Sequence, residues 1–132
     1  MRNKNGMTLI EVIASIILLL ICIGGITALL YQSTETSHCV YYTYVAANLA
    51  KNRVELIREL RKTKGYMALA DLPETQIELI DYLGNAGGDF ERTTQVEYAS
   101  GLTKVTVSVE CKKEELNHPV VFELVTLLSS YL

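Results

Sequence analysis

One carboxylate and one latent amine are the chemistry of the first thirty residues. From Met7 to Leu30 the chain is apolar apart from small hydroxyl residues and Glu11. A charged side chain at mid-membrane costs roughly 2.5 to 3.5 kcal/mol on insertion scales, so Glu11 calls for a partner. The nearest candidate cation is an α-amino group, which would stand beside Glu11 only if the chain were cut after Gly6. That cut would leave Met7 with a free amine near one end of the helix, and a neighbouring copy could present its own amine to Glu11. The cost of a buried acid would then set register between subunits.

No other constellation supports catalysis, which needs a nucleophile, a base or a metal in converging positions. His38 and His118 are the only histidines, far apart and without a ligand-spaced partner. There is no C-x-x-C, P-loop, dinucleotide glycine pattern or G-x-S-x-G. The acids Asp71, Glu74, Glu78, Asp81, Asp89 and Glu91 offer hard oxygens for calcium. Their spacing lacks an EF-hand pattern, and a solvated acidic edge is the simpler reading. The sequence therefore predicts no enzyme, no metal site and no cofactor. Cys22 lies within the apolar run and reads as a small hydrophobe. Cys39 and Cys111 would lie outside the membrane, where disulfides persist. A bridge between them is one reading and free thiols are the default, because sequence alone does not bring their Cβ atoms within reach.

The N-terminus also carries a resemblance. Met-Arg-Asn-Lys-Asn-Gly followed by Met-Thr-Leu-Ile-Glu-Val resembles the class III signal of type IV pilins and type II secretion pseudopilins. The shared features are a short basic leader, glycine before the scissile bond, a hydrophobic first mature residue and glutamate at the fifth mature position. The resemblance covers residues 1 to about 30. It implies that prepilin peptidase cuts between Gly6 and Met7, that the Met7 amine is N-methylated, and that Glu11 aligns incoming subunits. Two departures stand out: Met7 where the family more often has Phe, and Gly24-Gly25-Ile26-Thr27-Ala28 where many pilins have a helix-melting proline. Residues 47 to 60, Ala-Asn-Leu-Ala-Lys-Asn-Arg-Val-Glu-Leu-Ile-Arg-Glu-Leu, more weakly resemble the helix of PilV-like minor pilins and I-type minor pseudopilins.

These groups must be positioned by a helix. Met7 to Leu30 at 1.5 Å per residue spans roughly 36 Å, enough for a hydrocarbon core of about 30 Å. Arg2 and Lys4 keep the leader cytoplasmic and put residues beyond Leu30 on the far side. A secretory signal peptide would instead be cut after the apolar stretch, at a small-x-small pattern that residues 21–30 do not exclude. The Glu11 placement and the helical periodicity that continues past the run weigh against it. Gly24-Gly25 has two readings, close packing or tolerance on one side and a soft point that unwinds in a filament on the other. Tyr42, Ala46, Leu49, Ala50, Arg53, Val54, Ile57 and Leu60 or Arg61 recur at three- and four-residue spacing, an amphipathic face suited to covering a sheet. The helix should end near Lys64, with basic residues in its last turn and Gly65 as the stop.

Beyond it, residues 65–91 read as a connector, with a turn at Asp71–Glu74, a strand over Gln76–Tyr82 and a flexible loop over Gly84–Asp89. Period-two alternation then marks strands at Phe90–Tyr98, Thr103–Cys111 and Val120–Leu128, separated by an Ala99–Leu102 turn and a polar Lys112–Pro119 loop.

The expected fold is α+β: a long N-terminal helix packed on a three- to four-stranded antiparallel sheet. Its parts are a leader (1–6), a membrane or filament-core helix (7–30), an amphipathic continuation (31–64), and a connector with sheet (65–132). At 132 residues there is room for one small domain besides the helix. The net charge of −3 argues against electrostatic nucleic-acid binding by the monomer. The resemblance implies a minor pilin or pseudopilin, anchored in the inner membrane with its head outside the cytoplasm and then built into a filament. Other pilin subunits, prepilin peptidase and an inner-membrane assembly platform are its implied partners. A membrane-tethered ligand-binding module is the alternative.

Overall fold

An apolar run without proline, joined to an amphipathic stretch also without proline, gives the backbone no reason to stop helical hydrogen bonding for 56 residues. In the computed structural model, which describes residues 8–99, 101–113 and 119–130, helix α1 spans Leu9–Lys64. It stops where expected. Gly65 donates to the Arg61 carbonyl at 2.9 Å and then turns the chain with φ 87°, a value that glycine adopts at no steric cost. Arg61, Lys62 and Lys64 occupy the last turn, facing the negative end of the helix dipole.

A single 3-10 turn, Tyr66–Leu69, follows; the sequence reading gave it no element of its own. Four strands come next: β1 (Thr75–Ile80), β2 (Phe90–Ala99), β3 (Leu102–Cys111) and β4 (Val120–Ser129). Each pairs antiparallel with its sequence neighbour, giving the order β1-β2-β3-β4. The fold is therefore the expected α+β, pilin-like arrangement, with the first strand on the sheet edge.

Alternation decides which face is buried. Thr103, Val105, Val107, Val109 and Cys111 of β3 point to one side, and register aligns them with Phe90, Thr94 and Val96 of β2 and with Val120, Thr126 and Leu128 of β4. The cover is α1, through Val45, Ala46, Leu49, Ala50, Val54 and Ile57. Five of these were on the predicted face; Val45 joins them at its margin. Leu69, fully buried on the 3-10 turn, closes the end of this core.

The expected flexible loop over Gly84–Asp89 is corrected by its hydrogen bonds. Asp81 Oδ1 accepts from the backbone of Leu83 and Asn85, each at 2.8 Å, and Oδ2 accepts from the Asn85 amide at 3.1 Å. The Asn85 contacts hold the Asp81 carboxyl below the usual carboxylate range. Gly87 donates to the Leu79 carbonyl at 2.9 Å, laying the loop back along β1. A Cβ on Gly88 would come within 2.5 Å of the Ile80–Asp81 backbone, so only glycine fits that crossing.

The chain divides into two compact units, Met1–His38 and Cys39–Leu132. The sheet and the half of α1 that covers it belong to the second.

Candidate functional site

The first turn of α1 is where the predicted chemistry falls. Thr8 is its N-cap: the Thr8 carbonyl accepts from the amides of Glu11, at 3.0 Å, and Val12, at 3.3 Å. Glu11 reaches back, its Oε2 accepting from the Thr8 amide at 2.8 Å and from Thr8 Oγ1 at 3.0 Å. Thr-Leu-Ile-Glu is thus the threonine-x-x-glutamate pattern by which a side chain satisfies amides that a helix start leaves unpartnered. Glu11 therefore has neutral hydrogen-bond partners within its own chain, both from Thr8. The pattern was legible in the sequence but was read only for charge.

Around this turn every apolar side chain is outside a core. Leu9 is 79% and Ile10 75% exposed, and the exposed apolar run continues through Leu30. Among the described residues α1 is the one helix long and apolar enough to cross a membrane, and its apolar window has no buried residue. Val12, Ser15, Ile16 and Leu19 line a shallow groove of about 230 Å³ on this surface. The hydroxyls of the run are satisfied internally. Ser15 Oγ donates to the Glu11 carbonyl at 2.8 Å, and Thr27 Oγ1 lies 3.0 Å from the Ile23 carbonyl and 2.9 Å from that of Gly24. At Gly24 and Gly25 the helix is unbroken, and an added Cβ would meet nothing within 4 Å. Close packing inside this chain is therefore not what keeps these two positions small.

Gly6 and Met7 lie outside the described residues, as do Ser100 of the predicted turn and His118. His38 is exposed on α1. Cys22, Cys39 and Cys111 are free thiols; Cys111 is buried in the core, and Cys39 packs against its margin. No three His, Cys, Asp or Glu side chains among the described residues are grouped to hold a metal ion.

A polar cluster under the helix went unread in the sequence. Register turns Gln76 and Glu78 of β1 toward the same side as Ile80. Arg53 of α1 donates to Gln76 Oε1, Gln76 Nε2 donates to Glu78 Oε1 at 2.8 Å, and Arg92 donates to Glu78 Oε2 through both Nε and Nη2. The Arg92 hydrogen bonds hold the Glu78 carboxyl below its ordinary range. Burial, opposed by Glu78, pulls the Arg53 guanidinium down from its ordinary value. The cluster ties α1 to the β1 edge; apolar periodicity alone could not locate it.

Residues 1–27 match the family model described as the prokaryotic N-terminal methylation motif. Neither a curated protein nor a solved structure matches the chain. The motif and the exposed apolar helix behind it support a type IV pilin-like protein, and the α+β head is pilin-like in arrangement; the family that carries this motif is structural rather than enzymatic. Proteins of this class are in general processed by a prepilin peptidase and assembled with other pilins. The signal and the apolar helix fit a single-pass membrane anchor.

Proposed function

We propose that this chain is a minor pilin or pseudopilin, cut between Gly6 and Met7, methylated at Met7, and inserted into or priming a type IV pilus-like filament. The observation that carries this reading is the conjunction at the N-terminus. A methylation motif leads into a helix whose apolar surface from Leu9 to Leu30 is uncovered, with one carboxylate in its first turn. The leader, residues 1–6, holds the N-terminus on the cytoplasmic side of the inner membrane and places the head, formed by residues 31–132, outside the cytoplasm. The assembly platform extracts the subunit from there.

The mechanism follows from the first turn. In the waiting subunit Glu11 is held by Thr8. Cleavage frees the Met7 amine, and Glu11 exchanges a neutral donor for the ammonium of an adjacent subunit. A buried pair of this kind adds little net stability, but a misplaced subunit leaves one charge unpaired, which is strongly unfavourable and enforces register. Burial of the exposed stripe beyond Glu11 against neighbouring helices supplies the holding force. The role is structural rather than catalytic, and Cys39 and Cys111 enter it as thiols.

The test is the N-terminal mass of the membrane-extracted chain, from cells with and without a prepilin peptidase, together with recovery in the sheared filament fraction. A start at methylated Met7 that is lost without the peptidase is expected, and Glu11→Ala should be cut normally yet missing from filaments. An intact Met1 in both strains, with Glu11→Ala harmless, would sink the reading and leave a tethered binding module.

A further inference from the structure

The two edges of the sheet are finished differently. β1 is six residues long, and the loop after it folds back along it, through the Gly87 amide to the Leu79 carbonyl at 2.9 Å and an Ile80–Ala86 bridge. β4, the opposite edge, runs ten residues without proline or a basic side chain. Its register with β3 is unbroken, so no bulge turns it away. Proteins ordinarily blunt a strand edge by one of these devices, because its unpaired backbone groups accept a further strand. On β4 only Glu123 is charged.

Which groups stay open follows from the ladder. Ser130 donates to the Gly101 carbonyl at 2.9 Å, and these two residues continue the β3–β4 register. Bonded and non-bonded pairs alternate in an antiparallel ladder, so Leu128, Thr126, Leu124 and Phe122 bond to β3. Leu127, Val125, Glu123 and Val121 then aim their amides and carbonyls at the open side, where no backbone group of the described residues meets them. Their side chains lie on the face away from α1, where Leu127 is 65% exposed.

The α1 side of the same edge is basic. Arg58, Arg61 and Lys62 wall a cleft of about 490 Å³ whose other wall includes Leu127 and Leu128. Arg58 is held over the strand by donating to Thr126 Oγ1 at 3.0 Å. Among the described residues none of the three cations makes an ion pair. The helix dipole accounts for cations in this last turn. It does not account for their lying beside an uncovered strand edge.

We propose that β4 receives an added strand from a different protein, one that alternates acidic and apolar residues. Its backbone bonds to the outward groups of Val121, Glu123, Val125 and Leu127. Its acids turn toward Arg58, Arg61 and Lys62, and its apolar side chains lie beside Val125 and Leu127 on the other face. Main-chain bonds supply affinity and the alternation supplies specificity. A second copy of this chain is a poor occupant. The α1-facing residues of its own β4, Val120, Phe122, Leu124, Thr126 and Leu128, would bring no carboxylate to the three cations. The inference goes beyond the proposed function and does not depend on it, since both walls of the site belong to the Cys39–Leu132 unit.

The experiment uses the full-length chain in micelles and an end-blocked synthetic peptide that alternates valine with glutamate, followed by fluorescence anisotropy and residue-resolved amide exchange. Saturable binding is expected, with exchange slowed at Val121, Glu123, Val125 and Leu127. Three control peptides leave the protein untouched: lysine in place of glutamate, the same residues in block order, and every amide N-methylated. Each should bind about tenfold more weakly or worse. Arg61→Glu combined with Lys62→Glu should reverse the charge preference in favour of the lysine peptide, a gain that misfolding cannot produce. No binding of the alternating peptide, or equal binding of the block or N-methylated peptide, would overturn the inference and leave the proposed function standing. Salt-sensitive binding that leaves the four amides unprotected would overturn it and assign the basic cleft to polyanions. Protection of those amides without peptide, rising with protein concentration, would overturn it in favour of a second copy.

Discussion

At the scale of single residues, Thr8 and Glu11 are the hydrogen-bonded pair that opens α1. Glu11 takes one hydrogen bond from the Thr8 backbone and one from its hydroxyl, so Thr8→Ala removes only the second. N-cap replacements of this kind cost about 1 kcal/mol. Amide exchange over residues 9–12 in micelles should accelerate severalfold in Thr8→Ala, with leader cleavage unchanged. Unaltered exchange would show that the backbone bond alone holds the turn. Glu78 is the second residue of this kind. Its folded carboxyl titrates below its unfolded value because Arg92 donates to it, so its contribution is present above the unfolded value near pH 4.3 and is lost as pH falls through the folded one. Glu78→Gln should cost on the order of 1 to 3 kcal/mol at neutral pH and flatten the loss of head stability below about pH 4. Urea midpoints at pH 7 and pH 3 measure both effects. The Thr8–Glu11 pairing was legible as a threonine-x-x-glutamate pattern, whereas the Glu78 pairing was not visible in the sequence. Glu11 was conspicuous for its charge, but which hydrogen bonds it made depended on where the helix began. Glu78 looked like one acid among six until strand register turned it under the helix.

Elements were far more legible than side-chain partners, for a physical reason. The α1 core face, the β3 alternation and the Gly65 stop are written in local periodicity and backbone preference, which tertiary contacts only reinforce. The Tyr66–Leu69 turn has too few residues to show a period, yet it places a fully buried leucine and lets the Tyr66 hydroxyl meet Thr103 at 2.8 Å. Leu69→Ala should therefore cost about 2 to 5 kcal/mol, as large-to-small core changes do, and lower the thermal midpoint of the head accordingly. A shift within experimental error would mean that the turn is peripheral. The 84–89 segment was misread because glycine richness signals unusual backbone angles as readily as it signals freedom. Here Gly84 and Gly87 take positive φ and Gly88 a close crossing, all within a hydrogen-bonded turn.

Across the whole molecule, two units meet different solvents. Residues 9–30 keep their backbone hydrogen bonds because lipid offers no substitute, whereas the Cys39–Leu132 unit is held by a core that water and denaturant can reach. Urea applied to the chain in micelles should abolish the sheet and the tyrosine near-ultraviolet signal in one cooperative step. Residues 9–30 should stay helical and protected from exchange. A single transition that includes residues 9–30 would show one cooperative structure in place of two. The division itself was legible, since composition changes from apolar to mixed along α1. That Cys39, well beyond the apolar run, opens the second unit was not, because it depends on where the sheet sits.

The meander also sets a timetable. Every ladder joins strands adjacent in the chain, and β2 closes on β3 across a two-residue connection. Loop-closure entropy for each pairing is correspondingly small, and sequence-local contacts put folding at the fast end of the range for sheets. A chain that emerges from its membrane segment in order can zip its strands as they arrive. Such a head can complete its strand pairing without waiting for a distant segment.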